Sequence, residues 1–348
     1  MYGFPNSGTL NAGFYVPMNP QTGAFLNQGT GLPVAAFPAT GMVTVNSQFL
    51  YVSTGGYGPN PAGSIYGYSL DPNTGALTMI QGSPFIVGSP LAIRGMATPP
   101  NSHFFYASDA AGIDGFTVDS TTGVPTPISG SPFASGTNVQ LVVDPSGTFL
   151  YASDIDNPGG VLAYTIGTNG ALTPVQGSPF PIPGQTGATS LPVGIVDNGS
   201  FVYVALSGTN QVAAYSVNTS TGVLTAVTGS PFAAGNGPSF LTFANKFLYT
   251  NNTIDGTISG YSINTTTGAL TPVPDSPFNF YGESLADDAS GKYLYAEFWG
   301  FVHYMSIDPT SGTLTDAGTL QIGFAEPYLI TVVQFPVASS KSIASPTP

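Results

Sequence analysis

Apolar and polar residues alternate along the chain in short runs rather than in long amphipathic stretches. The runs recur with a period of roughly 45 to 55 residues, and a fixed period of this order is the sequence sign of a repeat architecture. Each repeat holds four runs separated by Gly-, Pro-, Asn- or Asp-containing turns, and large and small side chains alternate within a run. The pattern predicts four short strands per repeat, which we call A to D in chain order.

A Thr-Gly turn or a close variant marks every repeat between strands C and D. It occurs at Thr22-Gly23, Thr74-Gly75, Thr122-Gly123, Asn169-Gly170, Thr221-Gly222, Thr267-Gly268 and Ser311-Gly312. The aromatic strand C precedes each turn, at residues 13–18, 65–70, 113–118, 161–166, 212–217, 258–263 and 302–307. The repeat therefore has seven registered copies, which is a strong indication of a single repeat domain.

Strands B and D carry the other repeated motifs. Strand B is a run of the form Phe-Leu-Tyr followed by small residues, at residues 49–54, 104–109, 149–154, 201–206, 247–252 and 293–298. Strand D is predicted to end in Ser-Pro-Phe in five repeats, starting at Ser83, Ser131, Ser178, Ser230 and Ser276. Because its phenylalanine recurs once per repeat, we expect it to pack between neighbouring repeats.

The two ends of the chain complete each other. Tyr2 precedes Tyr15 by the spacing that separates Tyr151 from Tyr164, so the chain opens on a strand B without a strand A. Residues 326–333 form a strand A that no strand B follows. The sequence predicts an all-β, seven-bladed β-propeller with four antiparallel strands per blade, closed by three N-terminal strands and one C-terminal strand. Residues 1–335 form this domain, and residues 336–348 are predicted to be a flexible tail.

The repeat resembles a known family. Strand B, the Tyr-Ser pair of strand C, the Thr-Gly-Ala-Leu-Thr-Pro-Val turn and the Gly-Ser-Pro-Phe motif are similar to those of the YVTN-type seven-bladed propellers. That group belongs with the lactonase-type propellers, which include the phosphogluconolactonase-like proteins. The resemblance covers residues 1 to 335 and implies the propeller fold. Lactonase activity is what it implies about function.

Composition restricts the partners. Charged residues make up 6% of the chain, the formal charge is −13, and there are four basic residues, Arg94, Lys246, Lys292 and Lys341. Nucleic-acid binding needs several basic side chains on phosphates, so it is excluded as a function. No run is apolar over the roughly 18 residues of a membrane helix. The first residues lack the basic and apolar regions of a signal peptide, which was either removed or never present.

The absence of cysteine does not decide the compartment, but the scarcity of Lys and Arg and the Ser-, Thr- and Asn-rich composition favour an extracellular or cell-surface location, with the periplasm as an alternative. In a secreted protein, four Asn-X-Ser/Thr sequons could carry N-linked glycans if the organism adds them. They begin at Asn198, Asn218, Asn251 and Asn264.

Polar residues at the ends of the B strands form the candidate site. In a propeller these ends gather on one face around the central channel, and we expect a ligand there. The candidates are Thr54, Asp109, Asp154, Asn252, Glu297, the nearby Arg94 and the repeat-breaking Trp299. Asp109 and Asp154 could hold calcium, which prefers oxygen ligands. Alternatively, these side chains cap turns. Trp299 is either a core residue or a stacking platform for a sugar. No cofactor is expected apart from calcium.

The residues for phosphosugar chemistry are scarce. Binding a phosphorylated sugar acid calls for clustered Arg, Lys or His, and Arg94 is the one basic residue expected near the channel. His103, Lys246 and Lys292 fall in A–B turns on the opposite face, and His303 lies in a strand C. Neither histidine has the context of a Ser-His-Asp triad, so no catalytic residue is assigned.

A surface with few charges costs little to desolvate, which suits dense packing of copies. The sequence therefore favours a secreted, non-catalytic propeller that acts as a structural, adhesive or self-assembling subunit of a filament or layer. Its expected partners are copies of itself, cell-surface components or carbohydrate. The alternative is a lactonase-like hydrolase or a carbohydrate-binding propeller that uses the channel face.

Overall fold

The computed structural model describes residues 2–5, 12–15, 30–33, 39–54, 63–72, 75–86, 93–133, 138–156, 159–185, 189–288, 290–298, 301–321 and 328–331. All regular structure in these ranges is β-strand, and no helix there is long and apolar enough to span a membrane. The predicted tail, residues 336–348, and Trp299 lie outside the described residues.

The strands follow the predicted repeat. The first three blades in chain order hold β1 (Tyr2–Pro5), β2 (Ala12–Tyr15), β3 (Thr30–Pro33), β4 (Ala39–Val45), β5 (Phe49–Thr54), β6 (Ser64–Leu70), β7 (Leu77–Met79), β8 (Phe85–Ile86), β9 (Gly95–Ala97), β10 (Phe104–Ser108), β11 (Ile113–Val118) and β12 (Pro125–Pro127). The next two hold β13 (Asn138–Val143), β14 (Phe149–Asp154), β15 (Gly160–Ile166), β16 (Leu172–Pro174), β17 (Phe180–Pro181), β18 (Pro192–Asp197), β19 (Phe201–Leu206), β20 (Gln211–Val217), β21 (Leu224–Ala226) and β22 (Phe232–Ala233). The last two hold β23 (Pro238–Ala244), β24 (Phe247–Asn252), β25 (Thr257–Ile263), β26 (Leu270–Pro272), β27 (Ser284–Asp287), β28 (Tyr293–Phe298), β29 (Phe301–Ile307) and β30 (Leu314–Gln321), and the final strand of the chain is β31 (Tyr328–Thr331).

Seven antiparallel sheets result in the described part of the chain, and they confirm the seven-bladed propeller. In blades 2 to 7 the order is A-B-C-D, for example β18-β19-β20-β21 in blade 5. Blade 1 has the order β3-β2-β1-β31, in which Tyr2 pairs with Thr331 and Pro5 with Tyr328. The predicted closure by three strands from one end of the chain and one from the other is therefore confirmed.

The A strands form the inner ring. Each of them contacts the A strands of the two neighbouring blades, from β4 through β9, β13, β18, β23 and β27 to β31 and back to β4. We call the face with the B–C turns and D–A loops the upper face, and the face with the A–B and C–D turns the lower face. The B-strand ends therefore lie on the upper face.

The Ser-Pro-Phe motif corrects one prediction, because strand D does not run into it. In blade 4 the outer strand ends at Pro174, and Phe180 pairs separately with Val161 at the start of strand C. The serine replaces the missing ladder bond, since Ser178 Oγ accepts the N–H of Ala163 at 2.9 Å. Ser83, Ser131, Ser230 and Ser276 make the same bond in their blades. Blade 7 lacks the motif, and its outer strand runs unbroken from Leu314 to Gln321.

In blades 2 to 6 the tyrosine of strand B joins its blade to the next one. Its hydroxyl donates to the carbonyl of the glycine in the following blade's Thr-Gly turn, as from Tyr249 to Gly312 at 2.7 Å. Tyr51, Tyr106, Tyr151 and Tyr203 make the equivalent bond. The apolar clusters likewise span two blades, and one of them places Phe180 of blade 4 with Val202 of blade 5. This is the interblade packing predicted for the phenylalanines.

Candidate functional site

The predicted site residues lie at one end of their sheets. Asp154 pairs with Asn138 at the start of strand A, Asn252 pairs with Pro238, and Glu297 pairs with Ser284. Asp109 directly follows β10, and the backbone N–H of Arg94 donates to Ser108 O. Because a strand A begins on the upper face where strand B ends, all of these residues belong to the upper face. Nothing in the described ranges tests Trp299.

Register divides the set into two groups with opposite orientations. Glu297 pairs with Val302 of strand C, and the equivalent pairs in blades 4 and 6 are Ser153 with Val161 and Asn251 with Ile258. Asp154 and Asn252 each lie one residue after this position in their strands. Successive side chains of a strand point to opposite sides of the sheet. Glu297 is therefore equivalent to Ser108, Ser153 and Asn251 and not to the carboxylates with which the sequence grouped it.

Two members of the Glu297 group bond to the next blade. Ser153 Oγ donates to Val193 O of blade 5 at 2.9 Å, and Asn251 Nδ2 donates to Gly282 O at 2.8 Å, just ahead of blade 7. Asn251 Oδ1 also accepts the N–H of Phe240 at 2.7 Å. Glu297 has 0% exposure, as do Ser153 and Asn251. Ser153 and Asn251 therefore join neighbouring blades, whereas Ser108 Oγ donates to Gly95 O of its own blade at 3.3 Å. None of these buried side chains lines an open site.

Asp109 and Asn252 belong to the other group and are equally buried. Asp109 Oδ1 accepts the N–H groups of Ala111 at 2.6 Å and Gly112 at 3.0 Å, so it caps the B–C turn. Asn252 Nδ2 donates to Thr257 Oγ1 and Ser259 Oγ, both at 2.9 Å. Asp109 Oδ2 and Asn252 Oδ1 are buried without a hydrogen-bond partner. Each side chain contacts its own blade, and within the described ranges no three His, Cys, Asp or Glu side chains converge as metal ligands.

Asp154 is the more accessible carboxylate. It is half-buried, and Oδ1 accepts the N–H of Asp156 at 3.0 Å, which is the capping alternative considered from the sequence. Burial raises the pKa of Asp154, and the nearby charge of Asp156 raises it further. The hydrogen bond from the Asp156 N–H lowers this pKa and so limits the rise. Arg94, in the neighbouring blade 3, is also half-buried. These two residues are the predicted ionisable groups that stay open to solvent on this face.

The sequence did not single out a second group on the upper face. Asn210 Nδ2 donates to Asn236 Oδ1, Asn236 Nδ2 donates to Asp255 Oδ1, and the Asn236 N–H donates to Asp255 Oδ2, all at 2.7 Å. The two bonds from Asn236 lower the pKa of Asp255, and the three bonds together join three loops of blades 5 and 6. Beside them the rings of Tyr281 and Phe298 lie 4.0 Å apart, next to the half-buried Glu283. In the sequence, the one sign of the Asn210–Asn236–Asp255 group and of the Tyr281–Phe298 ring pair is that their loops depart from the repeat.

The lower face carries the predicted A–B turn residues. His103 Nδ1 lies 3.1 Å from Asn46 Nδ2 of the neighbouring blade, and in strand C of blade 7 His303 Nδ1 lies 3.0 Å from Thr319 Oγ1. A groove of about 640 Å³ between blades 5 and 6 is lined by Asn245 and the exposed Lys246, but by none of the predicted site residues. The geometry therefore gives neither histidine a catalytic partner.

Residues 178–280 match the family model described as "Lactonase, 7-bladed beta-propeller". This match confirms the predicted resemblance to the lactonase-type propellers. No curated protein matches the chain.

Solved structures of lactonase-type propellers share the fold over nearly the whole chain. The periplasmic gluconolactonase of Pseudomonas aeruginosa is 15% identical, with a TM-score of 0.75 over 94% of this chain and 98% of that one. A candidate 6-phosphogluconolactonase of Bacteroides fragilis is 16% identical, with a TM-score of 0.74 over 94% and 96%. A third, from Bacteroides uniformis, is 18% identical, with a TM-score of 0.70 over 91% and 94%. At such identities the likeness shows the fold alone.

The comparisons correct the function that the sequence favoured. The prediction of a non-catalytic structural, adhesive or self-assembling subunit is wrong, because the family match over residues 178–280 favours the lactonase alternative. The scarcity of basic residues does not exclude a lactonase. Few basic residues disfavour a phosphate-binding site, but the hydrolysis of a lactone needs only a proton acceptor and donors for an oxyanion.

Proposed function

We propose that the chain hydrolyses a lactone at the upper face of its channel. The lactonase family match over residues 178–280 supports the proposal, and it covers most of blades 5 and 6. The upper face supplies the two kinds of group that the reaction requires, a carboxylate open to solvent and a cation. Both lie outside the matched segment, in blades 3 and 4.

The reaction defines the roles. Water attacks the acyl carbon while a base takes its proton, and the carbonyl oxygen becomes an oxyanion. The ring C–O bond then breaks as the base returns the proton to the departing ring oxygen, which leaves a hydroxy acid. Asp154 is the proposed base, because its pKa is raised and its carboxylate is accessible to water. Arg94 is the proposed donor to the oxyanion. Asp109 and Glu297 are too deeply buried for a direct role, at 2% and 0% exposure.

Charge indicates an uncharged substrate. Arg94 is the one cation on the upper face within the described ranges, and it shares that face with Asp109, Asp154, Asp156, Asp255 and Glu283. A phosphate group would meet this negative field with one basic partner, whereas lactone and hydroxyl groups meet it without repulsion. We propose an unphosphorylated sugar lactone as the substrate class.

The test measures acid release from gluconolactone, from its 6-phosphate and from an aliphatic lactone, with and without a calcium chelator. We expect the unphosphorylated sugar lactone to be the preferred substrate. Asp154→Asn should lower kcat/KM by about 100-fold or more, the loss typical of a missing general base. Loss of activity with the chelator would support the predicted calcium at Asp109 and Asp154.

Asp156→Asn is the matched control, because it removes a neighbouring carboxylate from the same loop. It should change kcat/KM by less than about 3-fold, since a surface charge alone has a small effect. No acceleration over buffer with any of the three lactones would rule out the proposal. Equal losses in the two variants would reject Asp154 as the base.

A further inference from the structure

We propose that Asp197 makes the joint between blades 4 and 5 sensitive to pH: it is held there as a neutral acid, and its ionisation loosens the contact between β13 and β18. The inference does not depend on the proposed lactonase activity, because Asp197 lies at the lower end of the inner ring. It rests on the burial of Asp197, on its register and on the groups around it.

Asp197 is enclosed between two blades. It is the last residue of β18 and pairs with Val202, whose side chain belongs to the apolar cluster shared by blades 4 and 5. Its exposure is 8%. Oδ1 accepts the N–H of Gly199, while Oδ2 is buried without a hydrogen-bond partner. A buried carboxylate oxygen with no donor is costly when charged, so this position favours the protonated form.

The ionisable groups that face Asp197 from blade 4 are Asp144, which follows β13, and Tyr151 of β14. Asp144 cannot serve as a donor, because Oδ1 accepts the N–H groups of Thr148 and Phe149 and Oδ2 accepts from Ser146. In its own blade Tyr203 points away, toward Gly268 of blade 6. Burial raises the pKa of Asp197 to about 7, and the charge of Asp144 contributes to the rise. The hydrogen bond from the Gly199 N–H acts in the opposite direction and lowers the pKa.

Blade 7 contains a natural counterpart in the same register, which is half-buried where Asp197 is buried. Asp287 pairs with Leu294 as Asp197 pairs with Val202, and it faces blade 6 as Asp197 faces blade 4. Thr242 Oγ1 donates to Asp287 Oδ1 at 2.8 Å. Burial raises the pKa of Asp287 to about 6, and the bond from Thr242 limits the rise.

The residue in the place of Thr242 accounts for one part of the difference between the two pKa values, beside the greater exposure of Asp287 and a bond from its own backbone. Thr242 pairs with Tyr249, and in blade 4 Val142 pairs with the equivalent Tyr151. Valine has the shape of threonine but no hydroxyl, so the donor that Asp287 receives is absent for Asp197. The two joints therefore differ at this position by a single oxygen atom.

The direction of the pH effect follows. The pKa of Asp197 is higher in the folded protein than in the unfolded chain, where an aspartate has a pKa of about 3.9. At a pH between these two pKa values, Asp197 keeps its proton in the folded protein and has lost it in the unfolded chain. The contribution of Asp197 to stability is therefore full at low pH and is lost as pH rises to about 7. The joint loosens in the neutral range.

A reciprocal exchange tests the inference. Aspartate carboxyl carbons labelled with ¹³C are followed by NMR in the wild type, Val142→Thr and Thr242→Val. We expect Asp197 to titrate near pH 7 in the wild type and to move toward 6 in Val142→Thr. Asp287 should start near pH 6 and move toward 7 in Thr242→Val. Asp197→Asn assigns the resonance and copies the neutral acid.

Two further readouts connect the titration with the joint. Hydrogen exchange of β13 and β18, corrected for intrinsic rates, should quicken between pH 6 and 8 in the wild type but not in Asp197→Asn. The fall in Tm from pH 5 to pH 8 should be smaller in Asp197→Asn than in the wild type. An Asp197 that titrates below pH 5 in the wild type would overturn the inference even if no variant folds. Exchange rates that respond equally in both proteins would overturn the loosening.

Discussion

The buried tyrosines of strand B each bring one polar atom into the core. Tyr249 has 0% exposure, and its hydroxyl reaches the carbonyl of Gly312 in the next blade at 2.7 Å. A net hydrogen bond of this kind contributes about 1 kcal/mol, but breaking it strands a buried carbonyl at a cost of about 1–3 kcal/mol. The asymmetry makes the hydroxyl more important than its net contribution indicates.

Tyr249→Phe should therefore lower the free energy of unfolding by about 1–3 kcal/mol, because the Gly312 carbonyl loses its donor while the ring stays in place. Urea denaturation measures the change. Tyr281→Phe is the control, since its hydroxyl lies 3.5 Å from Thr253 O, at the limit of a hydrogen bond. Equal losses in the two variants would show that the interblade bond has no special role.

The four sequons differ in what their asparagines do. Asn198, Asn218 and Asn264 are exposed on lower-face turns, and each uses Oδ1 to accept turn N–H groups. Asn251 has 0% exposure and bonds to the backbone of its own blade at Phe240 and to Gly282, just ahead of blade 7. The extracellular location stays a prediction, but the structure separates the sites that such a location would expose.

Secretion from a cell that adds N-linked glycans should therefore give folded protein with sugar at Asn198, Asn218 and Asn264 and none at Asn251. Peptide mass spectrometry after enzymatic deglycosylation identifies the occupied sites. Single Asn→Gln changes at the three exposed positions are the controls, and each should remove one glycan. A glycan at Asn251 in folded, secreted protein would contradict the burial of that side chain.

Sequence reasoning found the upper-face residues but not their orientations. Asp154 and Asn252 end their strands as predicted and Asp109 directly follows its strand, whereas Glu297 occupies the neighbouring register position and points to the other side of its sheet. A shift of one residue reverses the side of a strand, and alignment by aromatic motif alone does not detect it. Asp197 was not selected at all, because its character depends on Val142, a residue of another blade.

The Thr-Gly turn shows what one element requires of its residues. Gly268 has a φ of +75°, and a Cβ there would lie 2.4 Å from Phe201 Cδ1 of the preceding blade. The turn thus needs glycine for its left-handed backbone and for the aromatic ring that covers it. The same requirement, for positive φ and for a covering phenylalanine, holds at Gly123, Gly170, Gly222 and Gly312.

Gly268→Ala should destabilise the fold by about 2–5 kcal/mol, the sum of left-handed strain and overpacking. Gly184→Ala is the matched control. Its φ is +67°, but the nearest atom, Pro231 Cδ, is 3.7 Å away. Gly184→Ala should lower the free energy of unfolding by only about 1–2 kcal/mol, the cost of the backbone strain alone. Chemical denaturation compares the variants, and equal losses would mean that the Phe201 contact does not matter.

Strands B and C were predictable almost to the residue, because aromatic and small residues mark both of their ends. Strand D was not, since the break before Ser-Pro-Phe depends on a bond from the strand C backbone to the serine hydroxyl. That bond joins Ala163 to Ser178, and neither residue signals it alone. The unbroken β30 of blade 7 shows the strand that forms without the motif.

For the whole molecule, closure of the ring depends on four residues near one end of the chain. β31 pairs with β1 and contacts the inner strands β27 and β4. Its removal would leave a strand edge open in blade 1 and interrupt the inner ring. This long-range pairing was predictable because a repeat with a missing strand demands a partner elsewhere in the sequence.

A chain that stops after Gln321 should therefore unfold at a lower urea concentration than the full chain, or with a broadened transition. A chain that stops after Phe335 keeps β31 and should match the full chain, as expected if residues 336–348 are a tail. Circular dichroism during urea unfolding measures both. Identical midpoints for the two truncations would show that β31 is dispensable.

The same closure determines how the molecule responds to mechanical force. Tyr2 pairs with Thr331, so the chain leaves both strands at the same end of the pair. Tension between the two termini therefore acts across the pair and opens its hydrogen bonds one after another, instead of loading them together in shear. The ring that resists thermal opening through seven joined blades should unzip at low tension when it is pulled from its own ends.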